Sequence, residues 1–326
     1  MTDSQQLPHP EDALDFDNGE PTKYGLNLLL FALTVPSVFF AGSLYVKDAN
    51  ALTLPRQLIE SWRGWPFAVP LLAILLAHEF GHYIAARIHR VPASLPYFIP
   101  LPAFSPFGTM GAIIAMRGRI RSRAALLDIG AAGPIAGMVV ALPVLALGLS
   151  WSAIGPNSSE HYTQEGQSLL YWLMKRLFAG PIPAGMDVQL HPTALAGWGG
   201  FLITMINMVP WGQLDGGHIA FALFGDRQHG YARGVRRVML ALFGYNLLKF
   251  CVPLALHQRS GYDMAIASSL FWLIWFGFTG IVGRFSGGAD HPPFEPSELG
   301  PGRRAVAWGC LIMFALLFMP TPWAQY

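Results

Sequence analysis

Apolar residues gather along the chain into seven long stretches: Tyr24–Val46, Trp65–Arg87, Ala124–Leu149, Thr193–Met208, Val235–Leu256, Ala265–Val282 and Ala305–Met319. A helix needs about 20 mostly apolar residues to cross a bilayer core, so the pattern predicts an all-α, polytopic membrane protein with about seven transmembrane helices. The fourth stretch is short and ends at Pro210, which leaves its boundary the least defined. Trp62, Trp65, Trp151, Trp198, Trp308 and Trp323 lie near stretch ends, where an amphipathic indole meets the headgroup layer.

One region has neither the helical nor the ordinary loop pattern. Val91–Phe107 carries Pro92, Pro96, Pro100, Pro102 and Pro106, yet is otherwise nearly all apolar. Proline at that density forbids a helix. Gly108–Met116 then reads as strand. Non-helical backbone at membrane depth survives only where protein buries it or it lines a cavity. Residues 91–118 are therefore expected to form a re-entrant loop and β-hairpin in the inner leaflet.

Charge adds orientation. Arg87, Arg90, Arg117, Arg119, Arg121 and Arg123 crowd one inter-span segment, whereas Ser150–Pro192 holds only Lys175 and Arg176 against three acids. Arg227, Arg233, Arg236 and Arg237 follow the fourth stretch, and Arg284, Arg303 and Arg304 the sixth. Alternate segments are thus arginine-rich. Cytoplasmic loops carry that excess, so the N-terminus and segments 88–123, 211–234 and 283–304 are read as inside. Residues 1–23 read as an acidic, disordered tail, 24–320 as one membrane domain and 321–326 as a short C-terminal tail.

Composition agrees and excludes other classes. Only 12% of the 326 residues are charged and 53% are hydrophobic, against about 25% charged in a soluble domain. The net charge of +2 offers no basic stripe for nucleic acid. Cys251 and Cys310 both fall in apolar stretches, which argues against a disulfide framework or a cysteine metal site. The Lys/Arg asymmetry, with no leader of the organelle type, favours a bacterial inner membrane and an active site toward its cytoplasmic side.

Candidate chemistry sits in the second stretch, at His78-Glu79-Phe80-Gly81-His82. Residues four apart share a helix face, so the two imidazoles can donate to one metal ion. Glu79 is about 100° round the helix from His78, able to reach a metal-activated water without being a ligand. Three ionisable residues in five positions of a membrane span are costly, and such residues default to function. A zinc hydrolase needs a third protein ligand and an open position, for which Asp215 is the best donor among the remaining spans. By residue type alone, Asp215-Gly216 reads as a turn pair. The arginine counts put Asp215 and His82 at similar depth, near the inner ends of their spans, and that favours the metal.

HEFGH in a transmembrane helix, followed at long range by Asn207-x-x-Pro210-x-x-x-Leu214-Asp215-Gly216, resembles the site-2 protease family of intramembrane zinc metalloproteases. Asp128–Gly137 also looks like a family segment, and the resemblance covers roughly residues 65–225. It implies one Zn2+ per chain held by His78, His82 and Asp215, with Glu79 as catalytic base. It also implies that the partner is the transmembrane helix of another membrane protein, cut near its cytosolic end. The hairpin resembles the family's membrane-inserted sheet, to which an unwound substrate strand could pair. Asn207 reads either as holding substrate backbone or the oxyanion, or as bonding the broken helix. Asp128 is expected to pair with Arg123 or to bond within the packing. His218 reads as a loop histidine, and Gly133 and Gly137 as helix-packing residues. The PDZ or CBS domains of many relatives fit nowhere here. The competing class is a polytopic ion transporter with His and Asp in its path, or a silent, membrane-protein-binding relative.

Overall fold

Leu and Ala lose little on entering a helix, and the apolar stretches rich in them are helical in the computed structural model. It describes residues 24–46, 53–102, 104–116, 120, 122–156, 163–257, 261–285 and 298–325. The acidic tail and Arg117, Arg119 and Arg121 lie outside the described residues.

The helices are α1 (Tyr24–Ser43), α2 (Leu54–Ile59), α3 (Trp65–Ile88), α4 (Arg123–Ser150), α5 (Leu169–Phe178), α6 (Pro192–Asn207), α7 (Asp215–Phe224), α8 (Arg227–Leu256), α9 (Tyr262–Phe285) and α10 (Pro301–Leu317). Among the described residues, five are long and apolar enough to cross a membrane: α1, α3, α4, α8 and α9. The fourth and seventh predicted spans fall short of that length, with 16 residues in α6 and 17 in α10. The expected inner segment 211–234 is mostly helix, not loop. Gly225, at φ 60°, divides α7 from α8, and the Arg-, Gln- and Ala-containing start of α8 continues the helix below the apolar part.

Helix α4 is the centre of the bundle and packs against α3, α6 and α7. Leu71, Ile74, Leu145, Trp198 and Phe201 are fully or almost fully buried between them. Trp198 keeps its indole satisfied by donating to the Gly166 carbonyl at 2.9 Å.

The proline-rich segment is a hairpin. Strands β1 (Tyr97–Pro100) and β2 (Thr109–Ile113) pair antiparallel, Phe98 opposite Ala112, with an irregularity before Pro100. Helix α1 and the turn that follows it supply polar groups to this segment at three heights. Asn27 Nδ2 donates to the Leu95 and Pro96 carbonyls at 2.7 and 3.2 Å, Ser37 Oγ to the Gly108 carbonyl, and Tyr45 Oη to the Pro106 carbonyl at 2.7 Å. Carbonyls that prolines leave outside any helix thus gain partners.

At the other end of the bundle lie β3 (Ala153–Pro156), β4 (Thr163–Glu165), β5 (Met186–Gln189) and β6 (Trp323–Gln325). Strand β3 pairs with β5, and β4 with β6, so the short C-terminal tail is tied into a sheet. Lys175, on α5, is buried between Glu165 (3.0 Å) and Asp187 (2.9 Å), and Tyr171 Oη donates to Glu165 at 2.8 Å. Burial works against the charge on Asp187, but the Lys175 ammonium outweighs it and holds the carboxyl below the usual aspartate range. A lowered carboxylate value stabilises the fold above the ordinary aspartate range, and that contribution fades as pH falls through the lowered value. Lys175→Met strands two half-buried or buried carboxylates. We expect it to cost about 3–5 kcal/mol, read as a lower thermal midpoint in detergent at neutral pH.

Candidate metal centre

Helix α3 carries His78 and His82 one turn apart on the face turned to α4, with ring centroids 4.9 Å apart. Room for the rings comes from α4. A Cβ on Gly133 would fall 2.0 Å from His82 Nε2, and one on Gly137 would fall 3.3 Å from His78 Nδ1. The two glycines therefore serve close packing, as expected, and the groups they admit are the two imidazoles.

His82 Nδ1 lies 2.7 Å from the Ile129 carbonyl. A carbonyl only accepts, so Nδ1 carries the hydrogen in the neutral ring and Nε2 keeps its lone pair. Pro134 has no N–H for the Gly130 carbonyl, which loosens the turn of α4 that presents this acceptor. A histidine oriented in this way through its second nitrogen is typical of a metal ligand.

Asp215 arrives from the other side. Helix α6 ends at Asn207, and residues 208–214 turn through Pro210 before Asp215 opens α7. Gly216 lets that first turn lie against the Met208 and Val209 carbonyls, where a Cβ would collide. Asp215 is thus both a first-turn helix residue and a member of the cluster. Its Oδ2 stands 3.2 Å from His78 Nε2 and 3.3 Å from His82 Nε2, and the two nitrogens are 3.1 Å apart. That oxygen is buried and makes no well-formed hydrogen bond among the described residues.

The triangle fits zinc. Bonds of about 2.0–2.2 Å in tetrahedral geometry put ligand atoms about 3.3–3.6 Å apart, a little beyond the 3.1–3.3 Å separations observed. Two imidazole nitrogens and one carboxylate are donors that the borderline-soft zinc ion accepts, and they leave a fourth position open. Among the described residues this is the one His/Cys/Asp/Glu group whose donor atoms converge in this way.

A cavity of about 380 Å³ opens onto the cluster, with Glu79, Asn207, Trp211 and Gln213 also on its wall. Glu79 is almost wholly buried. Asn207 Nδ2 is 3.4 Å from His78 Nε2, at the edge of hydrogen-bond range. His218 is not a loop residue: it is buried on α7 and lines the cavity. Asp128 does not pair with Arg123. Arg303 grips it with Nε at 3.0 Å and Nη2 at 2.8 Å, and His89 Nε2 adds a contact at 2.8 Å, because the start of α10 packs across the start of α4.

The wall has two further parts, of which the sequence marked one. Met110, Ala112 and Ile113 come from β2, and Trp275, Phe278 and Thr279 from α9. The odd composition of 91–118 marked the hairpin. Nothing in α9, an apolar helix like the others, marks it as part of the site.

The sequence profile of Peptidase family M50 matches residues 66–248, more than half of the chain and all of the cluster. The chain belongs to peptidase family M50. Among its relatives, "Probable zinc metalloprotease EGY1, chloroplastic" of Arabidopsis thaliana is 34% identical over 324 residues, covering 91% of this chain and 53% of that protein. The protein of the same name from Oryza sativa subsp. japonica is 33% identical over 251 residues, 70% of this chain and 40% of that one. "Probable zinc metalloprotease EGY2, chloroplastic" of Arabidopsis thaliana is 31% identical over 226 residues, 64% and 40%. The chain spans about half the length or less of these M50 relatives. No solved structure matches it. A multi-pass membrane protein stands, but the bacterial inner membrane expected from the arginine asymmetry finds no support in relatives whose names are chloroplastic.

Proposed function

We propose that the chain is a zinc-dependent intramembrane endopeptidase that cuts a transmembrane helix of another membrane protein. The convergence of His78, His82 and Asp215 beside a buried glutamate carries this reading. His78 Nε2, His82 Nε2 and one Asp215 oxygen would hold the ion, which when bound would supply Lewis acidity and lower the pKa of a water to about 7. Glu79 takes the proton of the attacking water and delivers it to the departing amine, the work of a general base and then a general acid. Asn207, with two amide hydrogens at the cavity wall, holds the substrate carbonyl. The cavity is otherwise lined largely by apolar side chains, which keep bulk water from the reacting bond.

A helical peptide bond is shielded, so the substrate must unwind before it is cut. The free edge of β2 supplies backbone partners for the opened segment. Three observations support a reading with seven spans and a hairpin at membrane depth. Helix α1 satisfies carbonyls of the hairpin segment from the side. His89, Asp128 and Arg303, all at arginine-rich ends, meet one another. Strands β4 and β6, both assigned to the opposite side, pair. The active site then lies toward the arginine-rich side.

The test uses the full chain in liposomes with single-span peptides carrying a Gly-Pro pair near their arginine-flanked end. Cleavage is expected within that half of the span, stopped by a zinc chelator and restored by zinc. Uncut peptide in every panel member, with zinc bound, would favour a silent relative.

A further inference from the structure

Helix α5 has its polarity turned inside out. Leu169, Trp172, Leu173 and Leu177 fall at i, i+3, i+4 and i+8, one stripe of a helix, and are 60%, 48%, 45% and 66% exposed. The opposite face carries Tyr171, Met174 and the Lys175 ammonium, all buried. A helix bathed in water puts its charges outward and its apolar stripe inward. Here the lysine is consumed by Glu165 and Asp187, and the three leucines of the stripe are left largely uncovered by the described chain.

We propose that α5 lies in the membrane interface at the end of the bundle opposite the arginine-rich side, its leucine stripe sunk into the lipid. Ten residues make about 15 Å of helix, half a bilayer core, so α5 cannot span. The segment that contains it runs between the C-terminal end of the membrane-spanning α4 and the start of α6, and α5 packs on α4 itself. That keeps it beside the bundle. Its rim has the chemistry of a headgroup layer. The Arg176 guanidinium stacks over the Trp172 ring at 5.2 Å, a pair suited to the boundary between lipid and water. Gln164, Gln167 and Arg176 border a cleft of about 300 Å³ next to Trp172. Trp151, at the end of α4, is 58% exposed and belongs to the same boundary. The buried ion network follows from this placement: a helix whose outward face is greasy must settle its lysine inward.

Spin labels placed one at a time at Leu169, Leu173 and Leu177 test the placement, in the full chain reconstituted in liposomes with Cys251 and Cys310 replaced by alanine. Power saturation compares collision with oxygen, which enters lipid, and with a water-soluble nickel chelate, which does not. Each stripe label is expected to favour oxygen several-fold more than a control label at Gln167. Labels on an exposed face touch little, and a position whose preparation fails to elute as a single species is replaced by its neighbour on the stripe. Stripe labels open to the nickel chelate would overturn the proposal in favour of an aqueous face. Labels shielded from both reagents would overturn it in favour of a protein partner. The readout does not depend on proteolysis, so it stands or falls apart from the proposed activity.

Discussion

Glu79→Gln should abolish cleavage, by about 10²–10⁴-fold for the loss of a general base, and leave zinc content unchanged. The two effects separate because Glu79 stands next to His78 on α3 but is outside the converging donor set. The amide keeps the size of the carboxylate and the hydrogen-bonding reach of its carbonyl oxygen, so neither α3 nor the cavity needs to move. What it removes is a group that can accept a proton from water. Single-turnover cleavage of a peptide held in excess enzyme, with zinc measured on the same preparation, gives both quantities. Cleavage near the wild-type rate would mean that Glu79 is not the base.

Gly133→Ala should eject a ligand without replacing one. The added methyl would fall 2.0 Å from His82 Nε2 and 2.4 Å from both neighbouring ring carbons, in the middle of the imidazole. Moving the helices apart would open the close contact of Gly81 on α3 with the Ala132 carbonyl, which leaves no room for a Cβ, and close-packed interiors resist opening such gaps. The ring must therefore swing out, breaking its bond to the Ile129 carbonyl. Losing a partner that orients a metal ligand costs about 10–100-fold in affinity, and displacing the ligand itself costs at least that. Gly137→Ala, with 3.3 Å to His78, should be milder. Gly309→Ala, with open space around it, should bind zinc like the wild type. Equal zinc affinity in all three variants would mean that these glycines serve helix packing alone.

The site was legible in the sequence because its parts are costly. Three ionisable groups within five residues of an apolar span need a reason, and Asp215 shared their depth by arginine counting alone. The hairpin was legible for the same kind of reason, since prolines in an apolar run leave few foldings open. Partnerships across the bundle were not legible. Asp128 turns to Arg303, 175 residues away, instead of the nearby Arg123, because α10 crosses the start of α4, and helix order in space is not written in periodicity. Nor did the pattern distinguish α9, whose Trp275 and Phe278 reach the cavity, from any other lipid-facing helix. Boundaries slipped where a helix continued beyond its apolar run, as at Arg227–Arg237, where arginine, glutamine and alanine offset two glycines.

Zinc per chain is the most direct measurement of the central claim. Metal analysis of the purified protein in detergent, alongside His78→Ala, Glu79→Gln and Asp215→Ala, should find about one zinc in the wild type and Glu79→Gln. It should find little in the other two. Normal zinc in Asp215→Ala would return that residue to a helix-opening role. No zinc in a folded wild type, even after dialysis against the ion, would contradict the metalloprotease account outright.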